Sequence, residues 1–266
     1  TDEVITQSKK LSKGLLNLGV KPGDKIAMIS NNRTEWVLTD LAILQIGAIN
    51  VPIYPTITEE DYAYILNDAR VKLVFVSDAE LLGKVNNIKG SVPTLEEVFT
   101  YDRIEGAKHW TDLVADEYDD AEISALTSAI KTNDLATLIY TSGTTGKPKG
   151  VMLSHNNIVS NVLASKERLP VDSNAKSLSF LPLCHVYERM IIYLYTYTGV
   201  SFYFAESMDT IGDNLKEVKP HVFTVVPRLL EKIYDKIVAK GKELKGIKKM
   251  MFFWALELGL QYDVKG

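Results

Sequence analysis

Tyr140-Thr141-Ser142-Gly143-Thr144-Thr145-Gly146-Lys147-Pro148-Lys149-Gly150 stands between two apolar runs, Leu135–Thr141 and Val151–Leu153. Both runs read as strands, so the segment is a loop that joins strand to strand. Its three glycines let the backbone approach a bulky ligand and turn several N–H groups one way. Four hydroxyls, on Thr141, Ser142, Thr144 and Thr145, can donate to phosphate oxygens or stand near a bound Mg²⁺. Lys147 and Lys149 add positive charge. Many donors with local cations suit a polyphosphate. A Walker loop needs GxxxxGK[ST] running into a helix. Here Gly143 and Gly146 are too close, Pro148 follows Lys147, and a strand follows Gly150, so no helix N-terminus stands ready for the anion. A plain Gly/Thr-rich surface turn is the bland alternative, and such turns seldom string these residue types together between two apolar strands.

Outward from the loop, helix and strand alternate. Leu11, Leu15 and Leu18 give helical spacing over 6–18, which Gly19 stops. Strands are expected at 25–30, 48–53, 71–77, 135–141, 177–181, 201–204 and 222–226. Helices are expected at 33–45, from Glu59 behind a Thr58 cap, at 155–168, 185–197, from Pro227 with Leu230, Ile233, Tyr234 and Ile237 on one face, and at 248–258. Single helices between strands argue for βαβ units and a mostly parallel sheet. Between Asn87 and Asp134 the pattern weakens, and the acidic pairs Asp116-Glu117 and Asp119-Asp120 read as an exposed connection. The expectation is an α/β fold of layered sheets flanked by helices.

The chain has 266 residues, 46% hydrophobic and 24% charged, with a formal net charge of −4. That balance describes a globular protein able to bury a core and lacks the dense basic face of a nucleic-acid binder. The one cysteine, Cys184, forms no intramolecular disulfide and reads as a small core hydrophobe. The chain opens on Thr1-Asp2-Glu3 with no secretory pattern and no Met. The apolar stretch from Met190 to Ala205 falls short of the roughly 20 residues of a membrane-spanning helix and reads as a buried helix followed by a buried strand.

The run Tyr140–Gly150 resembles the phosphate-loop signature of the adenylate-forming superfamily, which includes acyl-CoA synthetases, luciferases and peptide-synthetase adenylation domains. Leu181-Pro182-Leu183-Cys184-His185-Val186-Tyr187-Glu188-Arg189 resembles the family's next motif. Ile53-Tyr54-Pro55-Thr56 with Glu59-Glu60-Asp61, and Val226-Pro227-Arg228 with Glu231-Lys232-Ile233-Tyr234, are similar to the long-chain fatty acid branch. The resemblance covers essentially the whole chain.

It implies ATP-dependent activation of a fatty acid to acyl-AMP and then to acyl-CoA, with Mg²⁺ and coenzyme A taking part. A ligase for an aryl or short-chain acid, or a catalytically incompetent nucleotide- or acyl-binding fragment, is the alternative. By resemblance Thr141, Ser142, Gly143, Thr144, Thr145 and Gly146 wrap the β- and γ-phosphates, Lys147 and Lys149 assist, and Thr144 stands near the metal. His185 would serve the acyl carboxylate and adenylate as a catalytic and substrate residue, against the plain reading of a capping or core histidine. Glu188 and Arg189 would join the substrate site or form a local ion pair. The run Ile191–Phe204 would line an acyl tunnel or simply pack the core.

Relatives continue past the point matching Gly266 with a Tyr-Gly-x-Thr-Glu segment, a ribose-binding Asp, a hinge and a C-terminal domain. The resemblance therefore implies a truncated N-terminal domain: residues 21–174 as a first α/β subdomain with the loop, residues 1–20 plus 175–266 as an incomplete second one, and the C-terminal domain absent. Exposed apolar surface is expected near the C-terminus. The expected setting is cytoplasmic, with fatty acid, ATP and CoA as partners and no nucleic acid; peripheral membrane contact and homo-oligomer formation stay open.

Overall fold

In the computed structural model, which describes residues 2–141, 146–169 and 171–262, helix and strand alternate as the sequence implies. The chain divides into two compact units, Thr1–Phe223 and Thr224–Gly266.

The first unit opens with α1 (Asp2–Asn17), β1 (Lys25–Ile29), α2 (Thr34–Gln45), β2 (Ile49–Ile53), α3 (Glu59–Asp68), β3 (Val71–Val76) and α4 (Ala79–Lys89). It continues through β4 (Glu97–Thr100), β5 (Lys108–His109), a 3₁₀ turn at Trp110–Leu113, α5 (Asp120–Ala129), β6 (Leu135–Thr141) and β7 (Lys149–Ser154). Then come α6 (His155–Lys166), β8 (Lys176–Ser179), α7 (Val186–Thr198), β9 (Ser201–Phe204) and α8 (Ile211–Val218). Seven strands form one sheet in the order β5-β4-β3-β1-β2-β6-β7, and β8 and β9 form a second. Every neighbouring pair is parallel except β6 and β7, which make an antiparallel hairpin.

Strand side chains alternate between two apolar layers, as the two-residue period requires. Ile26, Met28, Leu73 and Phe75 face a layer that holds Leu11 and Leu15 of α1, Ile43 of α2 and Ile191, Ile192 and Leu194 of α7. Ala27, Ile29, Val74 and Val76 face Tyr62, Ile65 and Leu66 of α3 with Leu81 and Val85 of α4. Both faces are thus covered, which explains why β1 to β3 read as near-continuous apolar runs. The first layer unites residues of 1–20, 21–174 and 175–223 in one cluster. Caps set the helix starts: the Asp61 N–H donates to Thr58 Oγ1 at 3.1 Å before α3, and the Leu81 N–H donates to Asp78 Oδ1 at 3.0 Å before α4. Glycine is required at position 14 of α1, where a Cβ would lie 1.5 Å from the Leu113 carbonyl oxygen.

Several expectations are corrected. The stretch from Asn87 to Asp134 is no plain connection: it adds β4 and β5 to the sheet edge and α5 beside α1 and α2. Short strands and an acidic helix start concealed it, although Val98 and Phe99 are buried. The strand expected at 222–226 reduces to one bridge between Val222 and Ser177, with Pro220 and Pro227 flanking it. β9 is half exposed rather than buried, and α8 was not anticipated although Ile211, Leu215 and Val218 stand at helical spacing.

The second unit contains α9 (Pro227–Glu243) and α10 (Gly246–Leu260). They cross closely: a Cβ at Gly241 would fall 2.0 Å from Phe252 Cε1. None of the residues of α10 is buried, and Ile247, Met250, Met251, Trp254, Leu258 and Leu260 are all more than half exposed. The exposed apolar surface anticipated near the C-terminus is therefore present.

Candidate functional site

β6 and β7 lift the loop from the carboxyl end of a sheet strand, where ligands of open α/β sheets bind. Thr141 and Lys149 face each other as the last pair of the hairpin, and both are exposed. Gly146 adopts φ +93°, a backbone conformation that favours glycine. The Lys147 Nζ lies 5.2 Å from the centre of the Tyr64 ring, a cation–π contact that leaves its N–H donors free to exchange for an anion. Ser142, Gly143, Thr144 and Thr145 lie outside the described residues.

The hairpin stem is anchored on α3. The Tyr140 hydroxyl donates to Asp68 Oδ2 at 2.6 Å, and burial together with that carboxylate holds the phenol well above its ordinary pKa. Gly150 sits against the same ring: a Cβ there would lie 3.1 Å from Tyr140 Cζ.

The second motif forms the start of α7. His185 is exposed and is the N-cap, its Nδ1 accepting the Tyr187 N–H at 3.2 Å. That bond places the proton of the neutral ring on Nε2. The capping role named as the plain reading is therefore present, and it leaves Nε2 for a ligand. Cys184 is buried and free, and burial pushes its thiol up to about 12, as fits a small core residue.

Glu188 and Arg189 are both buried. Ser179 Oγ donates to Glu188 Oε1 at 2.5 Å. Arg189 pairs with Asp40 of α2, Nη2 to Oδ1 at 2.5 Å and Nε to Oδ2 at 3.1 Å. Its Nη1 donates to Thr137 Oγ1 of β6 at 2.7 Å, and its Nε also reaches the Tyr193 hydroxyl at 2.9 Å. The Tyr193 hydroxyl donates in turn to Asp40, Asn50 Nδ2 donates to Asp40 Oδ1 at 2.5 Å, and Thr137 Oγ1 donates to the Asn50 carbonyl at 2.7 Å. Burial opposes the guanidinium charge, yet Asp40 and Tyr193 hold its pKa above the ordinary arginine value. The ion pair of Arg189 is thus made with α2, 149 residues away in sequence.

Asp40, Asn50, Thr137 and Tyr193 carry this network and had no motif to announce them. The available signal was polarity in the wrong place: an Asp inside the apolar α2 run Trp36–Ala42 and an Asn inside the strand Ile49–Ile53.

Between the hairpin and α7 lies a cavity of about 410 Å³. Ile139 and Leu153 form one wall, Ile158 and Asn161 of α6 another, and Val186 and Met190 of α7 a third, with Thr137, Arg189 and Tyr193 also at its surface. Of the run Ile191–Phe204, Ile191, Ile192, Leu194 and Tyr195 pack into the core, while Tyr193 lies at the surface of the cavity. Among the described residues no group of three or more His, Cys, Asp and Glu side chains could hold a metal ion. No helix there is long and apolar enough to cross a membrane.

A mostly parallel sheet covered by helices on both faces, with an apolar cavity between the β6–β7 hairpin and α7, defines the architecture as α/β. The chain belongs to the AMP-binding enzyme family, which it matches over residues 2–261. It is 35% identical over 240 residues to the long-chain-fatty-acid–CoA ligase FadD15 of Mycobacterium bovis, covering 88% of this chain and 39% of that protein. The crystal structure of a long-chain-fatty-acid–CoA ligase, FadD1, from Archaeoglobus fulgidus shares the fold with a TM-score of 0.76 at 22% identity, over 88% of this chain and 46% of that one. The ATP-bound structure of MatB from Rhodopseudomonas palustris aligns with a TM-score of 0.73 at 24% identity, over 87% and 44%. The chain spans about two fifths of the length of the curated relatives it matches.

Proposed function

We propose that this chain is the part of an ATP-dependent long-chain fatty acid–CoA ligase that carries the nucleotide-phosphate loop and a share of the acid site. The observation that supports the reading most is the hairpin itself: the described ends of the motif close the β6–β7 pair, whose stem is anchored on α3 through Tyr140 and lines an apolar cavity together with the first turn of α7.

A carboxylate is a poor electrophile. In the reaction its oxygen attacks the α-phosphorus of ATP, the bond to the bridging oxygen breaks, and pyrophosphate leaves. The acyl carbon then takes the sulfur of coenzyme A, and AMP departs with the electron pair of its oxygen. The residues proposed for the loop contribute by position and charge, which is what phosphoryl transfer needs from a protein. Thr141, Ser142, Thr144 and Thr145 would donate hydroxyls, Gly143 and Gly146 would let backbone N–H groups approach, and Lys147 would leave Tyr64 to join Lys149 on the phosphates. Mg²⁺ would arrive on the nucleotide, with Thr144 at hand. It neutralises phosphate charge when bound. His185 would donate from Nε2 to the acid or adenylate oxygen, and the cavity between β6, α6 and α7 would shelter apolar carbons of the acid. The setting proposed is cytoplasmic, with contact at a membrane surface for collecting the acid.

Pyrophosphate exchange with a panel of acids tests the reading. Long-chain acids should support exchange in preference to aryl and short-chain ones. Exchange in a longer chain and none in this one would give this segment a binding role alone. In calorimetry, Thr144→Ala and Lys147→Ala should each weaken MgATP binding by about tenfold, the size of one lost charge-assisted contact. Unchanged affinity in both would defeat the loop assignment.

A further inference from the structure

Resting on that reading of the loop, we propose that Arg189 is a positioning residue that fixes the stem of the phosphate loop and the first turn of α7 to one another. The side chain is 2% exposed and contacts three elements at once. Nη2 and Nε grip Asp40 on α2, and Nη1 grips Thr137 on β6, while Arg189 itself belongs to α7. The two functional segments lie one short step from these contacts. Thr137 precedes Thr141, the first loop hydroxyl, by four residues along a rigid strand. His185 precedes Arg189 by one helical turn, and the Arg189 N–H donates to the His185 carbonyl at 3.2 Å.

The chemistry of the group suits this task. A buried ion pair adds little stability over well-packed apolar residues, so its use here is directional. The planar fork of a guanidinium aims separate N–H groups at Asp40 and Thr137 in fixed relation, which a lysine ammonium cannot do. Thr137 is held from two sides: its hydroxyl accepts from Arg189 and donates to the Asn50 carbonyl. Sliding α7 along β6 would therefore break several buried bonds together, and the loop stem and His185 move as one body.

Amide hydrogen exchange of the unliganded chain reads this without any activity, and MgATP calorimetry is run beside it. Thr137→Val removes the link from α7 to β6, together with the Thr137 bond to the Asn50 carbonyl, and leaves the Arg189–Asp40 pair in place; Arg189→Lys keeps the charge and the Thr137–Asn50 bond and removes the fork. In both variants the amides of Leu138–Tyr140 and of Tyr187–Arg189 should exchange about tenfold faster together, the worth of roughly one buried hydrogen bond, while Leu73–Phe75 of β3 keep their protection. MgATP affinity should fall in step. Unchanged exchange at both segments, acceleration at only one of them, or a uniform rise that includes β3 overturns the proposal. Should Arg189→Lys fail to fold, Thr137→Val decides alone. A wild-type chain that binds no MgATP would sink the loop reading, whereas the exchange pattern would still judge the mechanical claim.

Discussion

Arg189 and Asp40, on α7 and α2, meet through a fork of two bonds, Nη2 to Oδ1 at 2.5 Å and Nε to Oδ2 at 3.1 Å, with both side chains 2% exposed. The guanidinium also lies 5.7 Å from the centres of the Trp36 and Tyr193 rings. Charge, hydrogen bonding and ring faces thus converge on one group in the apolar layer that α1, α2 and α7 share.

Removing one partner should cost far more than removing both. Arg189→Met leaves Asp40 buried without its cation and should destabilise the fold by about 3–5 kcal/mol. The double variant Asp40→Leu with Arg189→Met should recover most of that loss. Urea unfolding of the three proteins checks it, and equal losses in the single and double variants would show that the charges do not compensate one another.

Two helical glycines should respond with opposite signs. Alanine in place of glycine in an open helix stabilises by about 0.5–1 kcal/mol. Gly83 in α4 has no atom within 4 Å of the new Cβ, so Gly83→Ala should gain that amount. At Gly14 the Cβ would overlap the Leu113 carbonyl oxygen, and Gly14→Ala should lose about 3 kcal/mol or more. Thermal midpoints measured side by side reveal the sign, and a stabilised Gly14→Ala would refute the close approach of α1 to the 3₁₀ turn.

Acid should weaken the fold through His155. Burial lowers its imidazole pKa below the ordinary value of 6.5, with Asp134 only partly offsetting. The folded form therefore prefers a neutral ring, and below about pH 6.5 the unfolded chain binds more protons. This contribution is fully present above that value and drains as pH falls toward the lower folded pKa. The urea midpoint should drop between pH 7.5 and 5 by more in the wild type than in His155→Gln. Parallel profiles would remove His155 from the account.

The apolar surface of α10 should be visible in solution. Trp254 is 65% exposed and Met250 67%. A hydrophobic dye should brighten on this chain, and light scattering should report self-association that Trp254→Glu with Met250→Glu reduces. A monomer that leaves the dye dark would contradict the exposure of these side chains.

How much of this was legible in sequence differs by element. β1, β2 and β3 were plain because strands covered on both faces are apolar at most positions, with Lys25, Asn50 and Lys72 the exceptions. α1 and α3 were plain because Leu11 and Leu15, or Tyr62, Ile65 and Leu66, repeat at helical spacing; the Thr58 cap marked the start of α3, whereas α1 begins at Asp2, ahead of the expected residue 6. β4 and β5 were hidden because four and two residues are too few for a period to show, and they exist by pairing, β4 with β3 and β5 with β4. Of the candidate site, the two strands that flank the loop were readable from residue types, as was His185 as a cap. Arg189 was not: its neighbour Glu188 suggested a local pair, while the partner it takes, Asp40, is brought to it by the fold and by no local rule.

The distance between those partners along the chain also sets an order of events during synthesis. A ribosome that adds about 5–20 residues per second needs roughly 7–30 s to pass from Asp40 to Arg189. For that interval the emerging α2 carries an acid destined for the interior with no cation yet made to meet it. The β1–β2–β3 half of the sheet can assemble early, but the layer above it closes only after α7 has left the tunnel. Birth of the nascent domain is therefore completed from its far end, and the segment with His185 arrives together with the group that locks it down.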